Sequence, residues 1–391
     1  MKVKPTIVHC IRKSTQLEKS FIFNQVIRLR NYQPVIFYIS YLRKNESRFD
    51  HSAHRPLTYF YPGEKRSYFW KLIFRYFKQI SKKESQELIK FAHEHNCKGF
   101  HFHFGTDAAI FWRLIRYSGL PSVVSFYGYD CSSFPLRFMG FGKYILQKKV
   151  FKYASCILAM SPDMKSDLIA LGCPQDKIIV HYYGTDVRKY NNQHLINPSK
   201  GKISLLTAGR LDEKKGHLFL IKAIELIKKE SKINVEWVIA GDGAQKEIIS
   251  QQIISSHLQN EVHLYGAYSY NSDTLNRLFA ETDIYIQPSI TAKDGDKEGI
   301  PGTLVEAMAA GLPVISTYHA GIPCIIEDGI NGLLVKEWDV HALKEAILLL
   351  CNDPELRVKI GNEAQRCAKE NLDIQRKEIE LENIYNQVLR N

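Results

Sequence analysis

"ISLLTAGRLDEKKGHLFLIKAIELIKKE", residues 203–230, sets the rhythm from which the rest of the chain can be read. A short apolar run, ISLLTAG, stops at a glycine. A polar, basic turn follows, and apolar residues then recur at helical spacing through GHLFLIKAIELIKKE. The beat continues downstream in VEWVIAG (235–241), VHLYG (262–266), DIYIQPS (283–289) and LPVIST (312–317), with helix-period stretches such as SDTLNRLFAE between them. Each apolar run is short and bounded by Gly, Pro or Asp, which predicts βαβ units and a parallel sheet covered by helices on both faces.

The first half repeats the pattern in PTIVHCI, PVIFYIS, GFHFHFG, SVVSFYG, CILAMS and KIIVHYYG. A chain of 391 residues exceeds one simple core. The fold class expected is α/β, with two Rossmann-like domains facing across a deep cleft. The first spans 1–190 and the second 200–371, joined near NNQHLINPSK (191–200). Ligands of open α/β sheets bind at the carboxyl ends of the strands, so the cleft is the expected site.

Composition is that of a soluble globular protein, 45% hydrophobic and 24% charged. No apolar run approaches the roughly 20 residues that span a bilayer, and the N-terminal stretch predicts no signal peptide. Eight scattered cysteines without a CxxC pair read as free thiols in a reducing cytosol. The net charge of +12 is unevenly divided: residues 1–190 hold 31 Lys+Arg against 13 Asp+Glu, and residues 191–391 hold 22 against 28. A basic half attracts phosphates, whether of nucleic acid or of an anionic membrane.

Chemistry-bearing residues collect at the turns after the strands. TAGRLDEKKG offers Arg210, Lys214 and Lys215 where a helix begins, which suits a diphosphate; taken alone it is equally a solvated basic turn. The glycines of AGDGAQKE permit close backbone approach, to a ligand or simply within a tight βα turn. KDGDKEGIPGTLVEAMAAGLPVIST (293–317) carries Glu298 and Glu306 on either side of a Gly-Pro turn. Thr303 and Glu306 fit a capping box, whereas a carboxylate at such a helix start also suits two ribose hydroxyls. Glu298, before the turn, is placed to meet sugar hydroxyls or the charge developing at an anomeric carbon.

The segment from Glu298 to Glu306, with EAMAAGLPVIST, GRLDEKKG and EDGINGLLV (327–335), closely resembles the retaining family-4 glycosyltransferases of GT-B fold. The wording is most similar to the subgroup that builds colanic-acid-type exopolysaccharides and capsules. KSFIFNQV, HFHFG, SFYGYD and YYGTD extend the resemblance more loosely into the first half. It implies transfer of a hexose from a nucleotide diphosphate sugar, such as a UDP-sugar, to a saccharide acceptor, lipid-linked, in exopolysaccharide, capsule or lipopolysaccharide biosynthesis. Arg210 and Lys215 match the pair that neutralises the donor diphosphate, Glu306 the ribose-binding acid, and Glu298 the acid beside the donor sugar. Gly209, Gly241, Gly243 and Gly266, with Gly299, Ile300, Pro301, Gly302, Thr303 and Leu304, fall in the donor cradle. His103, Tyr127 and Asp130 fall on the acceptor side. No cofactor and no metal are expected. The last helix, about 372–391, is expected to pack back on the first domain.

Two positions depart from the family pattern. Tyr127 stands where His is common, and a phenol is a poor base at its ordinary pKa of about 10. Cys324 stands where Glu usually follows GIP.

Two features have sharper readings that the residues do not favour, and a third has one that they do. Asp294 and Asp296 spell a DxD, yet the βα rhythm is the wrong setting for that metal motif. His101 and His103 share a strand face at metal-ligand spacing, without a Cys or acidic partner nearby. The basic, aromatic stretch EKRSYFWKLIFRYFKQISKK (64–83), with GKYILQKKVFKY (142–153), suits a bilayer interface. Cytoplasmic, peripheral attachment to an anionic membrane surface is therefore expected. Nucleic acid accounts for the charge but not for the acidic pair. A soluble-acceptor transferase and a non-catalytic nucleotide-binding member stay open.

Overall fold

The computed structural model describes residues 4–13, 21–40, 58–60, 79–190, 201–268 and 273–389. Most of the basic aromatic stretch at 64–83 and the polar stretch 191–200 lie outside the described residues. The chain forms two compact units, Met1–Tyr183 with Gln375–Asn391, and Gly184–Ile374.

The first unit holds seven parallel strands: β1 (Thr6–Lys13), β2 (Gln33–Ser40), β3 (Thr58–Phe60), β4 (Cys97–His103), β5 (Ser122–Ser125), β6 (Cys156–Ala159) and β7 (Ile178–Val180). Their order is β3-β2-β1-β4-β5-β6-β7, with His9 opposite His101 in the β1/β4 register. The terminal helix Ile374–Val388 completes this unit. Leu381, Ile384 and Tyr385 recur at helical spacing and pack with Ile7, Leu29, Val123 and Leu158. Glu382 on its flank accepts the Asn31 backbone N–H at 2.7 Å and the Asn31 side-chain amide at 2.6 Å.

The second unit holds β8 (Ile203–Ala208), β9 (Val235–Ala240), β10 (Val262–Gly266), β11 (Ile284–Gln287), β12 (Val314–Thr317) and β13 (Leu333–Val335), ordered β10-β9-β8-β11-β12-β13. The helix His217–Glu230 turns Phe219, Leu220, Ile224 and Ile227 onto Leu205, Trp237 and Ile286. Trp237 is fully buried because its indole N–H reaches Thr207 Oγ1 at 3.1 Å. Of the three three-residue edge strands, β7 falls within the run KIIVHYYG, whereas β3 and β13 extend the sheets beyond the apolar runs read from the sequence. They are too short to show a period.

The order of each sheet reverses once, between β1 and β4 and between β8 and β11. At such a switch point the turns after two neighbouring strands leave in opposite directions and open a crevice at their carboxyl ends. In the second unit those turns are 209–216 and 288–301.

Candidate functional site

The turn after β8 closes in a single 3-10 turn, Glu213–Lys215. Gly216 follows with φ +72°, and a Cβ there would sit 1.8 Å from the Pro288 carbonyl. Only glycine lets this turn lie against the exit of β11, where the Ile290 N–H donates to the Lys214 carbonyl at 2.9 Å. The packing buries Lys214 and half-buries Lys215 beside the 290–298 loop. Lys214 Nζ meets Asp296 at 3.0 Å, the Lys297 carbonyl at 3.3 Å and Glu298 at 3.9 Å. Lys215 Nζ meets Glu298 Oε1 at 2.9 Å. Burial alone would raise the Glu298 pKa; the charges of Lys215 and then Lys214 outweigh it and hold the carboxyl down to about 2. The Asp294-Gly-Asp296 loop is engaged internally, since Asp294 Oδ1 accepts the Asp296 N–H at 3.0 Å and Asp296 pairs with Lys214.

The second acid has the opposite character. The helix Gly302–Ala309 is preceded by Pro301 as N-cap and has no side-chain cap. The expected Thr303–Glu306 capping box is therefore absent. The proline's extended backbone starts the helix two residues earlier, which puts Thr303 inside the first turn with its hydroxyl 3.4 Å from Gln287 Oε1. Glu306 is freed from capping. It is buried, and burial raises its carboxyl to about 7 against the opposing pull of the Tyr190 hydroxyl, Lys189 and Lys215. Tyr190 ends the short turn Val187–Tyr190 and packs edge-on to Phe279 at 5.7 Å. Neither Tyr190 nor Lys189 was legible as a site residue, because no motif marks the stretch that enters the second unit.

The run of small residues in this helix has a packing cause. Leu304, Val305, Ala307, Met308 and Ala309 are all fully buried. The helix end is held by Gln365, whose amide donates to the Ala309 carbonyl at 3.1 Å.

Gly209 stands at the convergence of these parts. A Cβ there would lie 3.8 Å from both Lys215 Nζ and Thr303 Oγ1. Gly241 and Gly243 serve loop packing: a Cβ on Gly241 would meet the Gly209 carbonyl at 1.8 Å, and one on Gly243 the Leu211 N–H nitrogen at 2.7 Å. Gly266 ends β10 and accepts the Gly241 N–H at 2.8 Å. Gly299 accepts the Gly321 N–H at 3.1 Å, and Ile300 is buried. Arg210 is not gathered with Glu298; its guanidinium is largely exposed and paired with Asp212 at 2.7 Å. Cys324 is exposed.

In the first unit, the sequence pair His101 and His103 gains a third member, His9, supplied by the β1/β4 register. All three are buried. His101 contacts the Tyr385 hydroxyl at 2.6 Å and Ser125 Oγ at 2.7 Å. His103 contacts the Tyr127 hydroxyl at 2.9 Å and His9 Nδ1 at 3.0 Å. Burial lowers the pKa of each ring, that of His9 to about 3, so the three are neutral; a hydrogen bond joins His9 to His103, and His101 meets both through ring contacts, 5.3 and 4.3 Å between centroids. His9 Nε2 is the one ring nitrogen of the three without a partner. Tyr127 is half-buried in an aromatic cluster, with Phe104 at 4.7 Å, Phe21 at 4.8 Å and Tyr183 at 6.2 Å. Asp130 is wholly buried and accepts backbone N–H groups of Gly105 at 2.7 Å, Tyr127 at 3.0 Å and Gly128 at 3.2 Å. It organises the turn that presents Tyr127. Burial raises its carboxyl to about 6, opposed by those same bonds.

Comparison with known proteins places the chain among glycosyltransferases. Residues 186–366 match the family described as Glycosyl transferases group 1, and residues 28–189 match Glycosyltransferase Family 4. The chain is a family-4 glycosyltransferase. The amylovoran biosynthesis glycosyltransferase AmsK of Erwinia amylovora is 34% identical over 259 residues, covering 64% of this chain and 60% of AmsK. The putative colanic acid biosynthesis glycosyltransferase WcaL of Salmonella typhimurium is 33% identical over 196 residues, covering 50% of this chain and 47% of WcaL. The matched region thus spans about half to three-fifths of these relatives. Anabaena HepE, crystallised in complex with UDP, superposes with a TM-score of 0.77 at 18% identity, covering 98% of this chain and all of HepE. Sucrose-phosphate synthase from Thermosynechococcus elongatus also reaches 0.77 at 17% identity, covering 99% of this chain and 100% of its own. This family-4 glycosyltransferase therefore has the GT-B fold, and Arg210, Lys215, Glu298 and Glu306 lie within its group 1 match.

Proposed function

We propose that this glycosyltransferase transfers a hexose, with retention and without a metal, from a nucleotide diphosphate sugar to a lipid-linked saccharide acceptor in exopolysaccharide assembly. The observation that carries the reading is the convergence of Lys215, Glu298 and Glu306 with the first turn of the helix at Gly302, at the switch point between β8 and β11. The relatives named for amylovoran and colanic acid biosynthesis support the product class. A structural relative held with UDP-glucose makes a uridine nucleotide the first donor to try.

Each group then has a task its surroundings suit. Lys215, Arg210 and the unpaired N–H groups of the helix start take up charge on the leaving diphosphate. Glu306 accepts from the ribose hydroxyls, and its place beside the Tyr190 hydroxyl favours such donors. Glu298, held ionised, cannot supply a proton. Its negative charge stabilises positive charge developing at the anomeric carbon, and the departing phosphate takes the acceptor proton. In the first unit, Tyr127 and its aromatic neighbours present a surface suited to a sugar ring.

Attachment to the cytoplasmic face of an anionic membrane is part of the proposal. Among the described residues no helix is long and apolar enough to cross a membrane. Residues 136–144 of the first unit instead expose Leu136, Phe138, Met139, Phe141 and Tyr144 together. Phe138 and Met139 sit at φ +54° and +55°, so the backbone is held in a costly form that turns both side chains outward. Arg137, Lys143 and Lys148 flank them, as an interfacial segment requires.

The test is donor turnover. Lys215→Ala and Glu306→Ala should each lower it by at least about a hundredfold while unfolding remains cooperative. Full activity of either variant overturns the site. No stabilisation of the wild-type protein by any member of a nucleotide-sugar panel overturns the donor class.

A further inference from the structure

Glu298 is held at two points. Its carboxylate is fixed by the lysines, and its backbone N–H donates to His319 Nε2 at 3.0 Å. His319 comes from the turn after β12, and its ring is wholly buried. A backbone amide can only donate, so Nε2 is the acceptor nitrogen and the ring proton sits on Nδ1. Nδ1 in turn donates to Glu337 Oε1 at 2.7 Å. The other oxygen of Glu337 accepts the Thr291 N–H at 2.8 Å. Glu337, just after β13, thereby ties the start of the 291–298 loop directly and its end through His319. The Gly321 N–H bond to the Gly299 carbonyl, 3.1 Å, pins the next residue to the same turn.

We infer that His319 and Glu337 are positioning residues for Glu298, setting the sugar-transfer step while leaving the hold on the nucleotide to Lys215 and Glu306. The inference rests on the donor-site reading of Glu298. Its physical basis is that a charged group stabilises a transition state only when fixed in place. The lysines alone, on flexible stems, do not fix the backbone from which Glu298 projects. Glu337 selects the tautomer; His319 converts that selection into a bond on the Glu298 amide.

Two replacements of His319 separate this from a general packing role. Gln places an acceptor oxygen near the position of Nε2, whereas Asn reaches only as far as Nδ1. His319→Asn should lower kcat for UDP release from UDP-glucose by about a hundredfold, the scale of an ångström-sized misplacement. The Kd for UDP should stay within about twofold, and His319→Gln should recover most of the loss. Glu337→Gln, which keeps the side-chain size, should lower kcat in the same direction, and combining it with His319→Asn should add little. Hydrogen exchange of the 291–300 amides reads the geometry with no substrate present. Protection at Glu298 should be lost in His319→Asn and kept in His319→Gln. Equal turnover of the Asn and Gln variants, a parallel loss of UDP affinity, or retained Glu298 protection in His319→Asn overturns the inference. A wild-type protein that ignores UDP-glucose overturns the donor assignment instead, and the exchange experiment still decides the positioning role.

Discussion

Glu298 and Glu306 are eight positions apart in sequence and carry the same functional group, yet their surroundings drive them in opposite directions. Glu298 sits beside Lys215 and Lys214, which hold its carboxyl at about 2; Glu306 is buried beside a phenol, and burial raises it to about 7. The linkage for Glu306 has a definite sign. Its folded-state pKa lies above the ordinary 4.5, so its contribution is full below about 4.5 and is lost as pH rises through 7. Glu306→Gln removes an ionisation that the fold resists. The variant should gain stability over the wild type at pH 8, on the order of 3 kcal/mol at most, and little at pH 4.5. Urea denaturation at the two pH values checks this, and an equal change at both would refute the assigned environment. The acids themselves were legible from the spacing around the Gly-Pro turn. Their protonation states were not, because Lys214, Tyr190 and Lys189 reach them only through the fold.

At the scale of elements, the site is a product of loop packing. The turns after β8 and β9 close on each other through Gly209, Gly241 and Gly243, and the Leu211 N–H donates to the Asp242 carbonyl at 3.0 Å. The glycines of AGDGAQKE had two readings, ligand approach or a tight turn, and the backbone contacts account for them by the second. Gly241→Ala should destabilise the protein by about 2–4 kcal/mol, since a methyl group would have to displace a carbonyl. Gly266→Ala meets nothing within 4 Å and should cost only about 1–2 kcal/mol of backbone strain. Comparable denaturation midpoints for the two variants would contradict the packing account. The capping-box reading of Thr303 failed at this same scale. A T-x-x-E pattern cannot say where a helix starts when the residues before it are Gly-Ile-Pro-Gly, and Pro301 claimed the cap.

At the scale of the whole molecule, the basic charge lies in the first half of the sequence, and its described part carries an exposed apolar turn set among cations. Flotation with vesicles containing anionic phospholipid should recover the wild-type protein with the lipid. Replacing Phe138 and Met139 together by Ser should reduce that recovery severalfold without changing UDP binding. Unchanged flotation would place the contact elsewhere. Failure of the wild type to float would favour a soluble acceptor.

The sequence by itself determined the βα rhythm, hence the α/β class and two sheets, because the period of apolar residues follows directly from strand and helix geometry. It also marked Arg210, Lys215, Glu298 and Glu306, since glycine-bounded turns after strands are recognisable in one dimension. The tertiary structure alone decided which of these meet. It joined Lys215 to Glu298, turned Arg210 to Asp212, brought His9 to His101 and His103, and placed His319 and Glu337 behind Glu298. Apart from the local Arg210–Asp212 pair, those contacts link residues well separated in the chain, brought together by strand order and register, and no local pattern of residues encodes them.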